Sequence, residues 1–277
     1  MKIKLKLYQR VNGESLINKM KLKVAVLQYE CPEDVDNSIK KLDEMVFKAS
    51  QSGARLVVAP ETSIGMLGDV KTLGADYLPE LIKIAKKHKV FLSTSFYKKE
   101  NNEIFNQGYI ISDEDEVVLE HKKVYLAPPE KDEQKITSGN NITSKLTKIG
   151  KLGMLICKDG FTKYSHFMYE KFNELGTEII CAPTWSIGWK NTVGNDEYVK
   201  GLYTYGAFIS RSYILMAGNL NKSTESFGRS LIISPVTGVL QEGSTDKEEI
   251  LIQEIDLDEV KRIREFDSWW QPEKRII

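Results

Sequence analysis

Two segments constrain the fold of this chain more than any other feature: Val57-Val58-Ala59-Pro60-Glu61-Thr62-Ser63 and Ile180-Cys181-Ala182-Pro183-Thr184-Trp185-Ser186. In each, an apolar run breaks at Ala-Pro, and proline is tolerated in a sheet only where no ladder hydrogen bond is needed. Each is also preceded by an apolar run and an amphipathic stretch, so each reads as the last strand of a βαβ unit. The first unit is a strand over 23–29, a helix over 36–50 with Ile39, Leu42, Val46 and Ala49 at helical spacing, and a strand over 55–59. The second is a strand over 152–157, a helix over 163–175 with Phe167, Met168, Phe172 and Leu175 on one face, and a strand over 178–182. Two such units facing one another bring two strand ends to one cleft, Glu61 from one and Cys157 from the other.

Between and after the units, the pattern predicts a helix over 78–88, a strand over 90–96 and an antiparallel hairpin, 104–112 with 116–120, across Asp113-Glu114-Asp115. Residues 121–141 have little regular pattern, and a loop that long inside a compact domain is a functional candidate. A tyrosine-rich helix over 197–210, a strand over 213–217, a hairpin of 229–234 with 238–241 and a strand over 250–255 follow. Asp256 then caps a helix over 257–264, and the tail 266–277 carries Trp269-Trp270, a pair suited to a subunit interface. Residues 1–19 read as an extension outside the core, ahead of a domain over 20–277.

At 277 residues the chain can bury a substantial core, and its 39 basic and 39 acidic residues leave no excess charge to attract nucleic acid or an anionic membrane. No apolar run approaches the roughly 18 to 20 residues that span a bilayer, and the polar start holds no signal-peptide core. The expected compartment is therefore the cytoplasm. Three widely spaced cysteines, Cys31, Cys157 and Cys181, suit a reducing environment better than a disulfide framework.

The chemistry centres on Gly153-Met154-Leu155-Ile156-Cys157-Lys158-Asp159-Gly160, a strand running into a cysteine and then an Asp-Gly turn. A thiol there sits at the carboxyl end of a strand, where α/β proteins gather ligands. A cysteine nucleophile needs a base for its proton, a charge partner and an oxyanion donor. His88, His121 and His166 each read as satisfied structural histidines. Glu61, behind five apolar or small residues and a proline, is placed for a raised pKa, and Lys123 can supply positive charge. Singly, each has an ordinary explanation: a buried thiol, a turn-capping carboxylate, a solvated lysine.

Together, the order is distinctive. A strand ending in Glu61 (Arg55–Glu61, RLVVAPE), a hairpin ending in Lys122–Leu126 (KKVYL) and a strand ending in Cys157 (Gly153–Asp159, GMLICKD) resemble the nitrilase superfamily of carbon–nitrogen hydrolases. Ala182-Pro183-Thr184-Trp185, Ala217-Gly218-Asn219, Gly228-Arg229-Ser230 and Ile255-Asp256-Leu257 fit the same pattern, and the resemblance runs from about residue 22 to 275. It implies an α/β fold, an αββα sandwich of two mixed sheets flanked by helices. It assigns Glu61 as general base, Lys123 as the supporting cation, Cys157 as nucleophile and the Lys158 backbone N–H as a second oxyanion donor. Glu130 matches the further glutamate of many members, with Glu133 as the alternative. The substrate-binding wall is assigned to Lys158 and Trp185, with segments 62–77 and 184–196 shaping the pocket. Lys158 facing the pocket would select an acidic substrate, and facing away it is a surface lysine. No metal or organic cofactor is implied, and a homodimer or larger homo-oligomer is. Phe161-Thr162-Lys163-Tyr164 departs from the Phe-Pro-Glu element of many relatives, so substrate preference does not carry over. Cys157-Lys158-Asp159-Gly160 looks like the amidase branch. N-carbamoyl, nitrile and acyl-transfer chemistry, or a catalytically silent binding module, are the alternatives.

Overall fold

The computed structural model describes residues 20–65, 74–185, 196–221 and 226–270. The extension 1–19, most of segment 184–196, half of segment 62–77 and the side chains of Trp269 and Trp270 lie outside the description. Among the described residues, twelve strands form two six-stranded sheets. The first sheet holds β1 (Lys21–Gln28), β2 (Leu56–Val58), β3 (Phe91–Glu100), β4 (Glu103–Ile111), β5 (Val117–Lys122) and β12 (Glu249–Asp256). The second holds β6 (Ser144–Thr147), β7 (Gly150–Met154), β8 (Ile179–Pro183), β9 (Tyr213–Ala217), β10 (Leu231–Ser234) and β11 (Gly238–Glu242). Their strand orders, β12-β1-β2-β3-β4-β5 and β11-β10-β9-β8-β7-β6, mirror each other. Each sheet is parallel through its three βαβ strands, β1-β2-β3 and β7-β8-β9, and antiparallel elsewhere.

Alternation along the strands builds four layers, because successive side chains leave a strand on opposite faces. Val24 and Val26 of β1 point between the sheets with Leu215 and Ala217 of β9, in one shared core. Ala25 and Leu27 point outward to Leu42, Met45 and Val46 of α1 (Val35–Gln51) and to Ile84 of α2 (Leu78–His88). On the other side, Ile214 and Met216 point outward to Met168 and Phe172 of α3 (Ser165–Leu175) and to Tyr203 of α4 (Asp196–Ser210). The αββα sandwich of two mixed sheets is therefore present. The sheets approach closely at Gly108 of β4, where a Cβ would stand 2.3 Å from the Met154 sulfur.

Both βαβ units form at the expected places, and the 78–88 helix and the 213–217 strand have the expected bounds. Other expectations are corrected. The strand leading to the cysteine stops at Met154, and Cys157 opens a separate 3-10 turn, Cys157–Gly160. Phe167 is not on the buried face of α3: it is 64% exposed, and Tyr169 occupies the interior, its hydroxyl donating to the Gly160 carbonyl at 2.7 Å. β3 extends to Glu100 and pairs along its length with β4 in a second hairpin. β6 was not foreseen, and the 257–264 helix, α5, continues over Leu257–Trp270. Asp256 caps it, its Oδ1 accepting the Asp258 N–H at 3.0 Å. The 121–141 segment contains one wide helical turn, Pro129–Glu133.

Candidate active site

Four loops meet at the carboxyl ends of β2, β5, β7 and β8. Glu61 lies just past β2, after Ala59 and Pro60, and the next residue, Thr62, turns the chain at a φ of 47°. Lys123 directly follows β5, and its N–H donates to the Asn106 carbonyl of β4 at 2.9 Å. Glu130 lies in the Pro129–Glu133 turn, where one of its oxygens accepts the Ala127 N–H at 2.7 Å. Cys157 sits at a φ of 49°, a left-handed conformation costly for a side-chain-bearing residue and common where function demands it. Two tyrosines hold that turn: Tyr203 donates to the Cys157 carbonyl at 3.0 Å and Tyr169 to the Gly160 carbonyl. Gly160 is obligatory against them, since a Cβ there would stand 2.3 Å from the Tyr203 ring.

Glu61, Lys123, Glu130 and Cys157 line one small cavity, together with Thr62, Tyr97, Ala127, Pro129 and Trp185. The Lys123 ammonium lies between the two carboxylates, 2.6 Å from Glu61 Oε1 and 2.8 Å from Glu130 Oε2. The second oxygen of Glu61 accepts the Trp185 N–H at 2.8 Å. The Cys157 thiol donates to the Trp185 carbonyl at 3.6 Å, and the Glu61 carboxylate is its charged neighbour. All four titratable groups are at least 96% shielded from solvent, which makes their mutual charges decisive.

Burial raises the Glu61 pKa, with Lys123 opposing and Glu130 reinforcing. Burial acts upward on Glu130 as well, but the Lys123 ammonium and the N–H donors of Asn106 and Ala127 outweigh it and hold that carboxyl below the ordinary range. Burial alone would favour a neutral lysine, yet the two glutamates keep Lys123 well above its usual value. The Cys157 thiol is pushed well up by burial and by Glu61. The resting site therefore contains a protonated thiol, a fixed ammonium, one firmly ionised carboxylate and one carboxylate poised to gain a proton. Such a set can pass a proton from sulfur to Glu61 and hold developing negative charge beside Lys123.

Glu130, not Glu133, is the glutamate against Lys123, and Glu133 is exposed. Trp185 is at the cavity. The Lys158 side chain is not: its ammonium turns to the Leu126 carbonyl at 2.7 Å. The three histidines are engaged elsewhere, His88 with Asp43 at 2.7 Å, His121 with Asp159 at 2.9 Å and His166 with Tyr205 at 2.8 Å. The sequence reading missed Asp159, which accepts the N–H groups of Val124, Tyr125 and Ile156 and so ties the lysine loop to the cysteine turn. It also missed Asn106 and Tyr97, whose polar groups reach the glutamates from β4 and β3. A buried polar residue in an apolar strand is the only signal the sequence offers for either.

The chain is 26% identical to a Dictyostelium discoideum protein described as deaminated glutathione amidase, over 92% of this chain and 94% of that one. Its fold matches a carbon–nitrogen hydrolase from Helicobacter pylori with a TM-score of 0.80 at 19% identity, covering 93% of this chain and 96% of that one. It also matches a mutant amidase from a Nesterenkonia species, seen with the acetamide moiety of fluoroacetamide added covalently at its active-site cysteine. There the TM-score is 0.76 at 18% identity, covering 93% of this chain and all of that one, 100%. The sequence model of the carbon–nitrogen hydrolase family matches residues 23–265, and with a fold and relatives of the nitrilase superfamily the chain belongs to that family.

Proposed function

We propose that the protein hydrolyses a small amide to an acid and ammonia or an amine through a thioester on Cys157. The observation that carries this reading is the meeting of Cys157, Glu61, Lys123 and Glu130 in one buried cavity, with the ammonium held between the two carboxylates. Glu61 takes the thiol proton as the sulfur attacks the amide carbonyl. Lys123 and the Lys158 backbone N–H hold the tetrahedral oxyanion, and Glu61 returns the proton to the departing nitrogen as the C–N bond breaks. Water then attacks the thioester, giving a proton to Glu61; the C–S bond breaks, the acid leaves and the proton goes back to sulfur. Glu130 keeps Lys123 charged and in place. The Lys158 ammonium, bonded to the Leu126 carbonyl, offers no support for selection of an acidic substrate. The amidase names among the relatives point the same way.

The test is ammonia release from a panel of simple amides, N-carbamoyl compounds and nitriles, with mass spectrometry for an acylated Cys157. Release from amides by the wild type and its loss in a folded Cys157→Ala variant is the expected result. Equal release by the variant, or indifference of every substrate to Cys157 alkylation, refutes the proposal. Self-association is proposed alongside it. The aromatic residues Tyr164, Phe167, Tyr205 and Phe208 are exposed on and beside α3 and α4, and exposed apolar surface of this kind is what a subunit contact would cover. Light scattering on the eluting protein tests this, and a monomer at micromolar concentration refutes it.

A further inference from the structure

Asn106 is neither acid, base nor nucleophile, and it does not line the cavity, yet three of the site's groups are attached to it. It lies on β4 opposite Tyr97 of β3 and is fully buried. Its Nδ2 donates to Glu61 Oε1 at 2.7 Å and to Glu130 Oε1 at 2.7 Å. Its backbone carbonyl accepts the N–H of Lys123 at 2.9 Å. The orientation of the carboxamide is forced, because the opposite one would turn an acceptor oxygen toward two carboxylates. It is also costly: Oδ1 is left buried without a hydrogen-bond partner. An asparagine placed only to complete the core would satisfy both ends, since an unmet buried acceptor is destabilising.

We propose that Asn106 is a positioning residue that sets the spacing and charge balance of the site, dividing its two N–H groups between Glu61 and Glu130 while its carbonyl anchors Lys123. One ammonium cannot neutralise two buried carboxylates a few ångströms apart, and the carboxamide supplies the missing positive ends without adding a proton that could be lost. The groups facing Glu61 are then the Lys123 ammonium, the Glu130 carboxylate, the Cys157 thiol, the Trp185 N–H and Asn106. Those facing Glu130 are Lys123, the Tyr97 hydroxyl, the Ala127 N–H and Asn106. Because Asn106 donates to the charged form of Glu61, its removal makes that carboxylate harder to ionise, and the proton it must accept from sulfur arrives only at higher pH.

The inference rests on the amide-hydrolase reading, so its test is read without an amide. The rate of Cys157 alkylation by iodoacetamide is followed by mass spectrometry from about pH 5 to about pH 9 for the full-length wild type, Asn106→Leu and Asn106→Asp, with melting curves for each. Loss of a hydrogen bond to a charged group is expected to move the acid limb up by about one pH unit in both variants. Amide turnover, where the wild type shows it, is expected to fall about ten- to a hundredfold in kcat with a smaller change in KM. A folded Asn106→Asp protein whose alkylation profile superimposes on that of the wild type overturns the proposal, whatever becomes of Asn106→Leu. Failure of both variants to fold also overturns it, by making the residue structural. A shifted limb in a protein that cleaves no amide leaves Asn106 as assigned and removes the hydrolase reading alone.

Discussion

Lys123 is the residue on which the site's electrostatics turn. Its ammonium is 2% exposed and is the only cation among the described residues lining the cavity, facing two carboxylates. Lys123→Met leaves Glu61 and Glu130 opposed in a dry site, and breaking a buried pair in this way costs roughly 3–5 kcal/mol. Urea unfolding should show that loss at neutral pH and a smaller one in mild acid, where the carboxyls protonate and the repulsion disappears. Glu61→Gln keeps the volume and removes the proposed base, so the proposed amide turnover should fall by about 10^2- to 10^4-fold in a protein that still folds. The directions of the two glutamate shifts fix the pH behaviour. Glu61, raised by burial, holds its proton to higher pH than an ordinary glutamate, whose pKa is about 4.3, so the proposed amide turnover should disappear on acidification above that value. Its proton is bound more tightly in the folded than the unfolded chain, so this step does not destabilise the fold. Glu130, held low by Lys123, contributes stability that is complete above the unfolded glutamate pKa and is lost only as pH falls through its own depressed value. Acidification should therefore pass through a window in which the protein is inactive and folded, visible as a turnover limb lying above the circular-dichroism transition.

At the scale of single elements, the cysteine turn and α3 are one assembly. Tyr169 of α3 and Tyr203 of α4 accept no freedom at Cys157–Gly160: their hydroxyls hold two of its four carbonyls, and Gly160 packs against the Tyr203 ring. Gly160→Ala must displace that ring, with an expected cost of about 1–3 kcal/mol and a lower kcat, because the displaced turn carries Cys157, the proposed nucleophile. Within α3, Phe172→Ala should cost about 3–5 kcal/mol, whereas Phe167→Ala should stay within about 0.5 kcal/mol in the monomer, and paired denaturation curves check both. The apolar spacing of α3 was legible, but it could not say which of Phe167 and Tyr169 turns inward. The answer depends on a carbonyl at Gly160 that the tyrosine alone can reach. The βαβ strands were legible for the opposite reason, since they are buried on both faces and their apolar runs admit no other reading. The second half of β3, Tyr97-Lys98-Lys99-Glu100, is mostly polar and pairs with β4 and, at Lys98, with the single bridge residue Gly74, so nothing in its own composition marks it as strand. Glu61, Lys123, Glu130 and Cys157 could be named because they stand in ordered motifs. Asn106 could not: its two carboxylate partners are 45 and 24 residues away, and a lone amide in a strand carries no pattern.

Across the whole molecule, Glu61 and Lys123 follow strands of one sheet, while Cys157 and Trp185 follow strands of the other. Asp159 from the second half accepts N–H groups of Val124 and Tyr125 from the first, and Gly108 lets the halves close to contact at Met154. Cys157 and the Glu61 carboxylate therefore come from opposite halves. The response of Cys157 to Glu61 thus requires the two sheets to dock. During refolding from denaturant, brief pulses of iodoacetamide at neutral pH should find Cys157 labelled early as an exposed ordinary thiol and then shielded. Its response to Glu61→Gln should appear only in the final phase, so that the acquisition of chemistry times the closure of the sandwich.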